Sequence, residues 1–418
     1  MKIKKTRASA LQLVILISVI VALLLGSFLL LTKAHHFFNI QSSINASIID
    51  ESANGIIRNL SADPVIQSTP SSLSDENLNT LTSQGFHGAF TKIESTSTYG
   101  DDSVSSISLI GAVAMSSRPA LHLSDNRRPL KLVGNTSIMG DVYVSEKGIT
   151  PGTINNENYN GSELVIGSIK RNNGVLPKLN PDWLRYLKNI KGQLLLNLSE
   201  SPSILETNSN SFHESALVFY EVGRTTVRQR FAGNIAIVSN TEVIITKEAN
   251  LTDILVIAPK VTVQSGFKGS LHILSDKSVL IEPEVTLLYP SSIIVMEKDN
   301  MPLEPMQRGE EPIVISDRSL VEGIVYYNQT KGLNNSVSNG IWIQAYALVR
   351  GEVYCVGSIE LSGKVAGTVF AESFIANEFG SKHYNHIYNG SIRSNELSED
   401  YGGLPLLNAK KTIVKWLY

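Results

Sequence analysis

The chain carries one cysteine, Cys355, in 418 residues. One thiol makes no internal disulfide, and a cysteine-based metal site is excluded. In "GEVYCVGS" it reads as a small buried apolar side chain. An excess of either charge is also missing: the net charge is −2, and no basic block occurs beyond the first seven residues. A nucleic-acid partner would need such a footprint. No P-loop, nucleophile elbow or G-x-G-x-x-G motif is present. Aromatics are sparse, while Ile, Val and Leu dominate the apolar set and Asn, Ser and Thr are abundant. That mixture favours short β-branched strands joined by polar turns.

Long hydrophobic runs are missing too, with one exception. Residues 11–32, within "ASALQLVILISVIVALLLGSFLLLT", carry no charge. A helix of about 22 residues at about 1.5 Å each spans a hydrocarbon core of roughly 30 Å. A cleaved signal peptide has a shorter apolar region, so the sequence predicts a retained single-pass anchor. Lys2, Lys4, Lys5 and Arg7 precede the run and only Lys33 follows closely. The positive-inside rule then puts residues 1–10 in the cytoplasm and the rest outside it. His35, His36, Phe37 and Phe38 fall where an interfacial belt is expected.

Beyond the run, Phe38, Ile44, Ile48, Ile49, Ile56, Ile57 and Leu60 recur at three- and four-residue steps. This spacing predicts an amphipathic helix over 33–62, stopped at Ser61-Ala62-Asp63-Pro64. A polar tract at 68–83 follows, within a linker and first strands at 63–100. A long membrane helix running into a β domain resembles the layout of type IV pilins and type II secretion pseudopilins. A prepilin leader would add a glycine after the basic residues and a glutamate five residues into the apolar run. This chain has no such glycine, and its first acidic residue is Asp50. The expectation is therefore a plain anchor.

The remainder is periodic. "VEGIVY" at 321–326 returns as "VRGEVY" at 349–354, as "VAGTVF" at 365–370 and, far upstream, as "IMGDVY" at 138–143. Val243-Ile244-Ile245 recurs as Val261-Thr262-Val263 and Val279-Leu280-Ile281, both steps being 18 residues. A second set of triplets, at 235–237, 255–257, 271–273 and 293–295, interleaves with the first. Short β-branched triplets separated by turn residues at such a period mark a β-solenoid, in which successive turns of chain stack through parallel strands. Gly140, Gly323, Gly351 and Gly367 then become structural repeat glycines at the bends. The cadence Gly363, Val365, Gly367, Val369, Ala371 in "LSGKVAGTVFAESFIA" resembles the rungs of bactofilins, the bacterial polymer-forming β-helical proteins. That likeness covers roughly 313–376 and implies rung geometry. The whole chain resembles membrane-anchored proteins of Bacteroidota, through the anchor, "PLKLVGNTSIMGDVYV" at 129–144 and the "IVKWLY" end, which implies a bacterial envelope protein.

The expected fold is mainly β: a single N-terminal transmembrane α-helix followed by a parallel β-helix ectodomain with a small helical insertion. A first solenoid segment is expected at 101–144, an insertion with a short helix at 145–230, the main solenoid at 231–376 and a C-terminal cap at 377–418. Asn180 suits the N-cap of the inserted helix, Pro181 its first position and Gly192 its stop, with Trp183, Leu187 and Ile190 on one face. Trp416 and Tyr418, at the end of an amphipathic "NAKKTIVKWLY", are candidates for terminal docking.

Chemistry is hard to find. A glycosidase needs paired carboxylates, yet aligning the repeats sets Glu242 against Lys260 and Lys260 against Ser278, never acid on acid. Asp101-Asp102, Glu282 with Glu284, and Glu310-Glu311 read as solvated turns. His383 and His386, three apart among turn residues, lack an acidic ligand set. Arg224, Arg228 and Arg230 in "VGRTTVRQRF" form a local basic patch that could contact a partner or an acidic glycan. The sequence therefore predicts no catalytic residues, no cofactor and no metal. It predicts a non-enzymatic membrane-anchored extracytoplasmic scaffold or assembly protein of the bacterial inner membrane, its C-terminal domain periplasmic, linked to a pilus-like or secretion apparatus. Its partners would be other envelope proteins, or further copies through the solenoid ends. The alternative is an envelope polysaccharide-binding protein or a carbohydrate-active β-helix enzyme.

Overall fold

The apolar run and the amphipathic stretch after it form one helix, α1 (Arg7–Ser61). In the computed structural model residues 7–61, 78–113, 118–124, 127–172, 174–196, 208–297, 311–329 and 339–417 are described. Among them α1 is the one helix long and apolar enough to cross a membrane. Leu13, Leu16, Leu24 and Leu31 are all more than half exposed, so among the described residues nothing covers this part of the helix. Further along, Ile48, Ser52 and Ile56 are buried, whereas Phe38, Ile49 and Ile57 of the expected apolar set stay exposed, so the buried stripe is narrower than the spacing suggests.

The strands that position the features below are β1 (Leu78–His87), β2 (Phe90–Tyr99), β3 (Asp102–Val113), β4 (Leu121–Leu123), β5 (Val142–Val144), β6 (Ile169–Arg171), β7 (Leu217–Glu221) and β8 (Ile235–Ser239). They continue with β9 (Asn250–Ile257), β10 (Lys268–Ser275), β11 (Thr286–Met296), β12 (Leu320–Asn328), β13 (Leu348–Leu361), β14 (Lys364–Glu378) and β15 (Lys410–Leu417). The second helix is α2 (Pro181–Leu196). β1 already begins inside the tract expected as a loop at 68–83.

The chain divides into two compact units. The first takes in α1 as far as Gly55, β1 to Leu81, and Ser95–Ser105. Here Gly55 lies against β2: a Cβ at this position would stand 2.1 Å from Ser95 Oγ. Gln41 donates to Asp102 at 2.8 Å, and Thr80 and Ser97 share a buried hydrogen bond. The second unit begins at Ile56 and takes in Thr82–Glu94 and the chain from Ser106 onward. Its Ile56 and Leu60, the last turn of α1, pack with Ile93, Ile110, Ile413 and Trp416.

β1, β2, β3 and β15 form a four-stranded sheet in that order. β3 and β15 are antiparallel, with Ile107 opposite Leu417 and Val113 opposite Lys410. β3 therefore does not open the parallel repeats expected at 101–144. It pairs with the far end of the chain, because alternation in both strands offers an apolar face to Ile56 and Ile93.

The rest of the second unit is a stack of parallel strands. One column of facing residues runs Phe219, Ile237, Val256, Ile273, Ile293, Val325, Val353, Val369, Leu121, Val142, Ile169. Most of its members lie in the main apolar core. Each buried aliphatic contributes roughly 1.5–3 kcal/mol relative to exposure. The triplets 18 residues apart pair as expected, Val243 with Val261 and Val261 with Val279. In β9 the register slips by one after Thr252, where Asp253 adopts φ +61°, so Ile237 faces Val256 rather than Ile257.

Two expectations about order are corrected. β4, β5 and β6 stack beyond β14, not ahead of β7, since Val369 of β14 pairs with Leu121. Residues 145–230 are not all insertion: β6 pairs with β5, and β7 pairs with β8. The triplets encode the stacking propensity of each turn, not which turn lies next to it. The C-terminal region is not a cap in one piece either. Ser381–Tyr384 folds back antiparallel on β14, Ser391 and Ile392 continue the parallel stack, and β15 joins the sheet.

A second core lies on the outer face of the stack. Asn180 caps α2 as anticipated, its Oδ1 accepting from the Asp182 amide at 2.8 Å. Trp183 and Leu187 bury, and Ile190 packs beside them. The helix continues through Gly192 to Leu196 rather than stopping, a modest cost for one glycine.

Candidate functional site

Four arrangements in the second unit concentrate polar or aromatic groups. The first is the glycine column. Gly323, Gly351 and Gly367 face one another in register. Gly351 has φ +152°, and a Cβ there would stand 1.9 Å from the Gly323 carbonyl oxygen. Glycine is required here by backbone conformation and by the closeness of the next strand. Gly140 also has positive φ, with Ser394 Oγ where its Cβ would be.

Against this column lies a buried clamp. Arg118 Nη1 meets Glu352 Oε1 at 2.6 Å, both side chains under a tenth exposed. Glu352 Oε2 accepts from the Leu404 amide at 2.7 Å, and Tyr401 donates to the Gly323 carbonyl at 2.8 Å. Burial pushes the Glu352 carboxyl up, and the Arg118 charge pulls it back. The clamp pins residues 401–404 to the stack and leaves no reactive atom open to solvent.

The third arrangement is a row of rings on the outer face. Tyr326, Tyr354, Phe370, His122 and Tyr143 are successive partners across β12, β13, β14, β4 and β5. Neighbouring ring centroids are 5.5–6.2 Å apart. Trp183 of α2 continues the row at one end, and the Lys170 ammonium lies 5.4 Å from the Tyr143 centroid at the other. Tyr326, Tyr354 and Phe370 are buried, and Tyr354 donates to the Pro177 carbonyl. α2 and the segment before it thus cover most of what would otherwise be a sugar-stacking platform. The sequence spaced these rings regularly but did not reveal that they would be covered.

The fourth is a buried polar cluster. His87 Nε2 lies 2.9 Å from the Asp253 carbonyl oxygen, and His272 Nδ1 lies 2.9 Å from Ser292 Oγ. The two imidazoles meet edge to face at 4.8 Å. Lys415 of β15 donates to both Asp253 carboxylate oxygens at 2.8 and 2.7 Å. Burial lowers the His87 pKa to about 4 and takes His272 well below its usual value. Both imidazoles are neutral at pH 7, and neither is reachable from solvent. Sequence reasoning missed this cluster, because its members lie up to 328 positions apart.

The residues singled out earlier do not converge. Arg224 pairs with Glu242 at 3.1 Å, with Arg224 two-thirds exposed. Arg228 and Arg230 are exposed further along the same turn of chain, Arg230 opposite Asn250. A depression nearby is lined by Phe219, Val227, Phe231 and Ile237 with Glu221, Thr225, Thr226 and Gln229, and by none of the three arginines. Trp416 packs in the small cluster with Ile56, and Tyr418 lies outside the described residues. Cys355 is buried, with its thiol pushed well up by burial. Glu282 accepts from the Ser265 amide and Glu284 lies 3.7 Å from Arg318, so these acids serve turns. Glu310 lies outside the described residues. Among the described residues no three His, Cys, Asp or Glu side chains are grouped to hold a metal ion.

No protein-family model and no curated protein matches the chain. Among solved structures, the competence-associated pilin ComZ from Thermus thermophilus is matched over 85% of this chain and 86% of that one, at 10% identity and a TM-score of 0.24. A superposition that loose does not establish a common fold. The comparisons add nothing to the likenesses to bactofilins or to Bacteroidota proteins.

Proposed function

We propose that the chain is a non-enzymatic, membrane-anchored assembly subunit of a bacterial envelope. In this reading the parallel stack is a β-solenoid in the periplasm, and the N-terminus lies in the cytoplasm. The observation that carries it is α1. Its first half presents apolar side chains on every side, and its last turn is built into the packing beside an antiparallel sheet. α1 is one unbroken helix from Arg7 to Ser61, and its Ile56 and Leu60 belong to the packing of the second unit. A long membrane helix running into a β domain is also the layout by which the sequence resembles pilins and pseudopilins; here the stack lies between β3 and β15 in the chain. The partners are other envelope proteins, as in a pilus-like or secretion apparatus.

The polysaccharide reading has less support. Its platform, the ring row, is buried except around His122 and Tyr143. The deciding experiment is crosslinking in intact cells, with purification through a tag after Tyr418. Pilin-like or secretion proteins among the products are the expected result. Recovery of glycan fragments without protein partners would overturn the assembly reading in favour of glycan binding.

A further inference from the structure

The tip of the β1–β2 hairpin is set into the outer face of the stack. Phe86 lies against the Tyr186 ring of α2 at 5.4 Å, and the Trp183 indole donates to the Gly88 carbonyl at 3.1 Å. Gly88 has φ +58°, and a Cβ there would stand 2.4 Å from the His272 ring. His87 meets the rings of His272 and Phe212 edge to face at 4.8 and 5.1 Å, and Phe90 meets His272 at 5.8 Å. Ala89, Phe90 and His272 are fully buried. This fit has no provision for added positive charge. His87 Nε2 donates to the Asp253 carbonyl, while the Asp253 carboxylate is held on both oxygens by Lys415 of β15. An imidazolium needs two acceptors. His272 has Ser292 at Nδ1, but its buried Nε2 has no hydrogen-bond partner among the described residues. The other charge that bears on His87 is Lys92, which is also positive.

We propose that this hairpin tip, residues 86–90, is an acid-released latch: it is locked into the stack while His87 and His272 are neutral and lets go, ahead of the stack itself, when they take up protons. Protonating both rings gathers two new cations with Lys415 and Lys92 around one carboxylate in a buried setting, where an uncompensated charge is costly. Withdrawing the tip hydrates both rings at once, so the two protonations favour the same movement. The parallel ladder beneath has no such weakness, since the column through Val256, Ile273 and Ile293 is aliphatic and buried. Release bares Ala89 and Phe90 on the hairpin and the Trp183 side of α2 on the stack, apolar surfaces that are covered at neutral pH. The inference does not rest on the assembly reading: it concerns a contact within one copy of the chain.

The test is amide hydrogen exchange on the full-length protein in detergent at pH 7 and pH 4.5, with rates corrected for the intrinsic effect of pH. Residues 86–91 report the latch, and residues 261–263, paired on both sides within the ladder, report the stack. His87, held near 4 in place of 6.5, by itself favours the released form at pH 4.5 by at least about twentyfold over pH 7. The expected result is a loss of protection of that size or more at 86–91, with 261–263 unchanged. In a variant carrying His87→Gln and His272→Asn, whose amides stand in for Nε2 and Nδ1 respectively, protection at 86–91 should be the same at both pH values. The wild-type comparison decides even if that variant does not fold. The proposal is overturned if 86–91 stays protected at pH 4.5, or if 86–91 and 261–263 lose protection together, which means unfolding of the whole. It is equally overturned if the folded double variant still opens in acid, which would assign the release to the Asp253–Lys415 pair. None of these outcomes touches the assembly reading, which stands or falls separately on crosslinking to envelope proteins.

Discussion

A methyl group at Gly351 would meet the Gly323 carbonyl oxygen at 1.9 Å, on a backbone with φ +152°. Neither the strand below nor the buried Tyr401 hydroxyl can retreat without breaking pairing. Gly351→Ala is expected to cost at least about 2–4 kcal/mol, read as a shift in the urea midpoint. The opposite sign is expected at Tyr346, which holds φ +60° with its side chain 83% exposed. Tyr346→Gly relieves that strain and should raise stability by roughly 0.5–1 kcal/mol in the same assay. The buried imidazoles give a pH dependence. His87 has its pKa lowered from 6.5 to about 4, chiefly by burial, with Asp253 opposing and Lys92 and Lys415 assisting. Below pH 6.5 the unfolded chain binds the proton that the folded chain refuses, so stability is complete above that pH and falls as pH drops toward 4. For His87 alone the loss approaches about 3 kcal/mol at about 1.4 kcal/mol per unit. His272, lowered in the same direction, adds to it. Urea midpoints at pH 7 and pH 4.5 should differ clearly, and His87→Gln should shrink the difference; equal slopes in both proteins would rule this origin out.

At the scale of elements, β15 ties together parts of the second unit that lie far apart in the chain. It supplies the antiparallel partner of β3, the Trp416 contact with Ile56, and the Lys415 charge that neutralises the buried Asp253 carboxylate. A chain ending at Ala409 leaves Asp253 buried and unpaired, a loss of about 3–5 kcal/mol beside the lost strand pairing. Limited proteolysis should then cut within β3 at rates far above the full chain; equal protection would show that the sheet stands without β15. This pairing was not legible in the sequence, because nothing in "KKTIVKWL" specifies a partner some 300 residues upstream. What was legible was local: the extent of α1, the cap at Asn180, the 18-residue steps through Val243, Val261 and Val279, and the alternation around the repeat glycines. Periodicity reports the layer that a residue joins only when neighbouring layers are also neighbours in sequence. The passage of the chain from β3 to β4 at the far end of the stack broke that condition, as did the one-residue slip at Asp253.

For the whole molecule, the candidate roles turn on α1 more than on any side-chain constellation. A signal sequence is removed, whereas a retained anchor keeps α1 whole from Arg7 to Ser61. Two tags decide the matter, one before Met1 and one after Tyr418. Retention predicts a single membrane-bound band carrying both tags and resisting carbonate extraction. Protease added to spheroplasts should then remove the C-terminal tag and spare the N-terminal one, because four of the first seven residues are basic. A band that lost the N-terminal tag and left the membrane would make residues 1–32 a leader, and the assembly reading would lose its anchor. Carbonate-resistant protein with the tags on the opposite sides would keep the anchor but place the stack in the cytoplasm, out of reach of envelope partners.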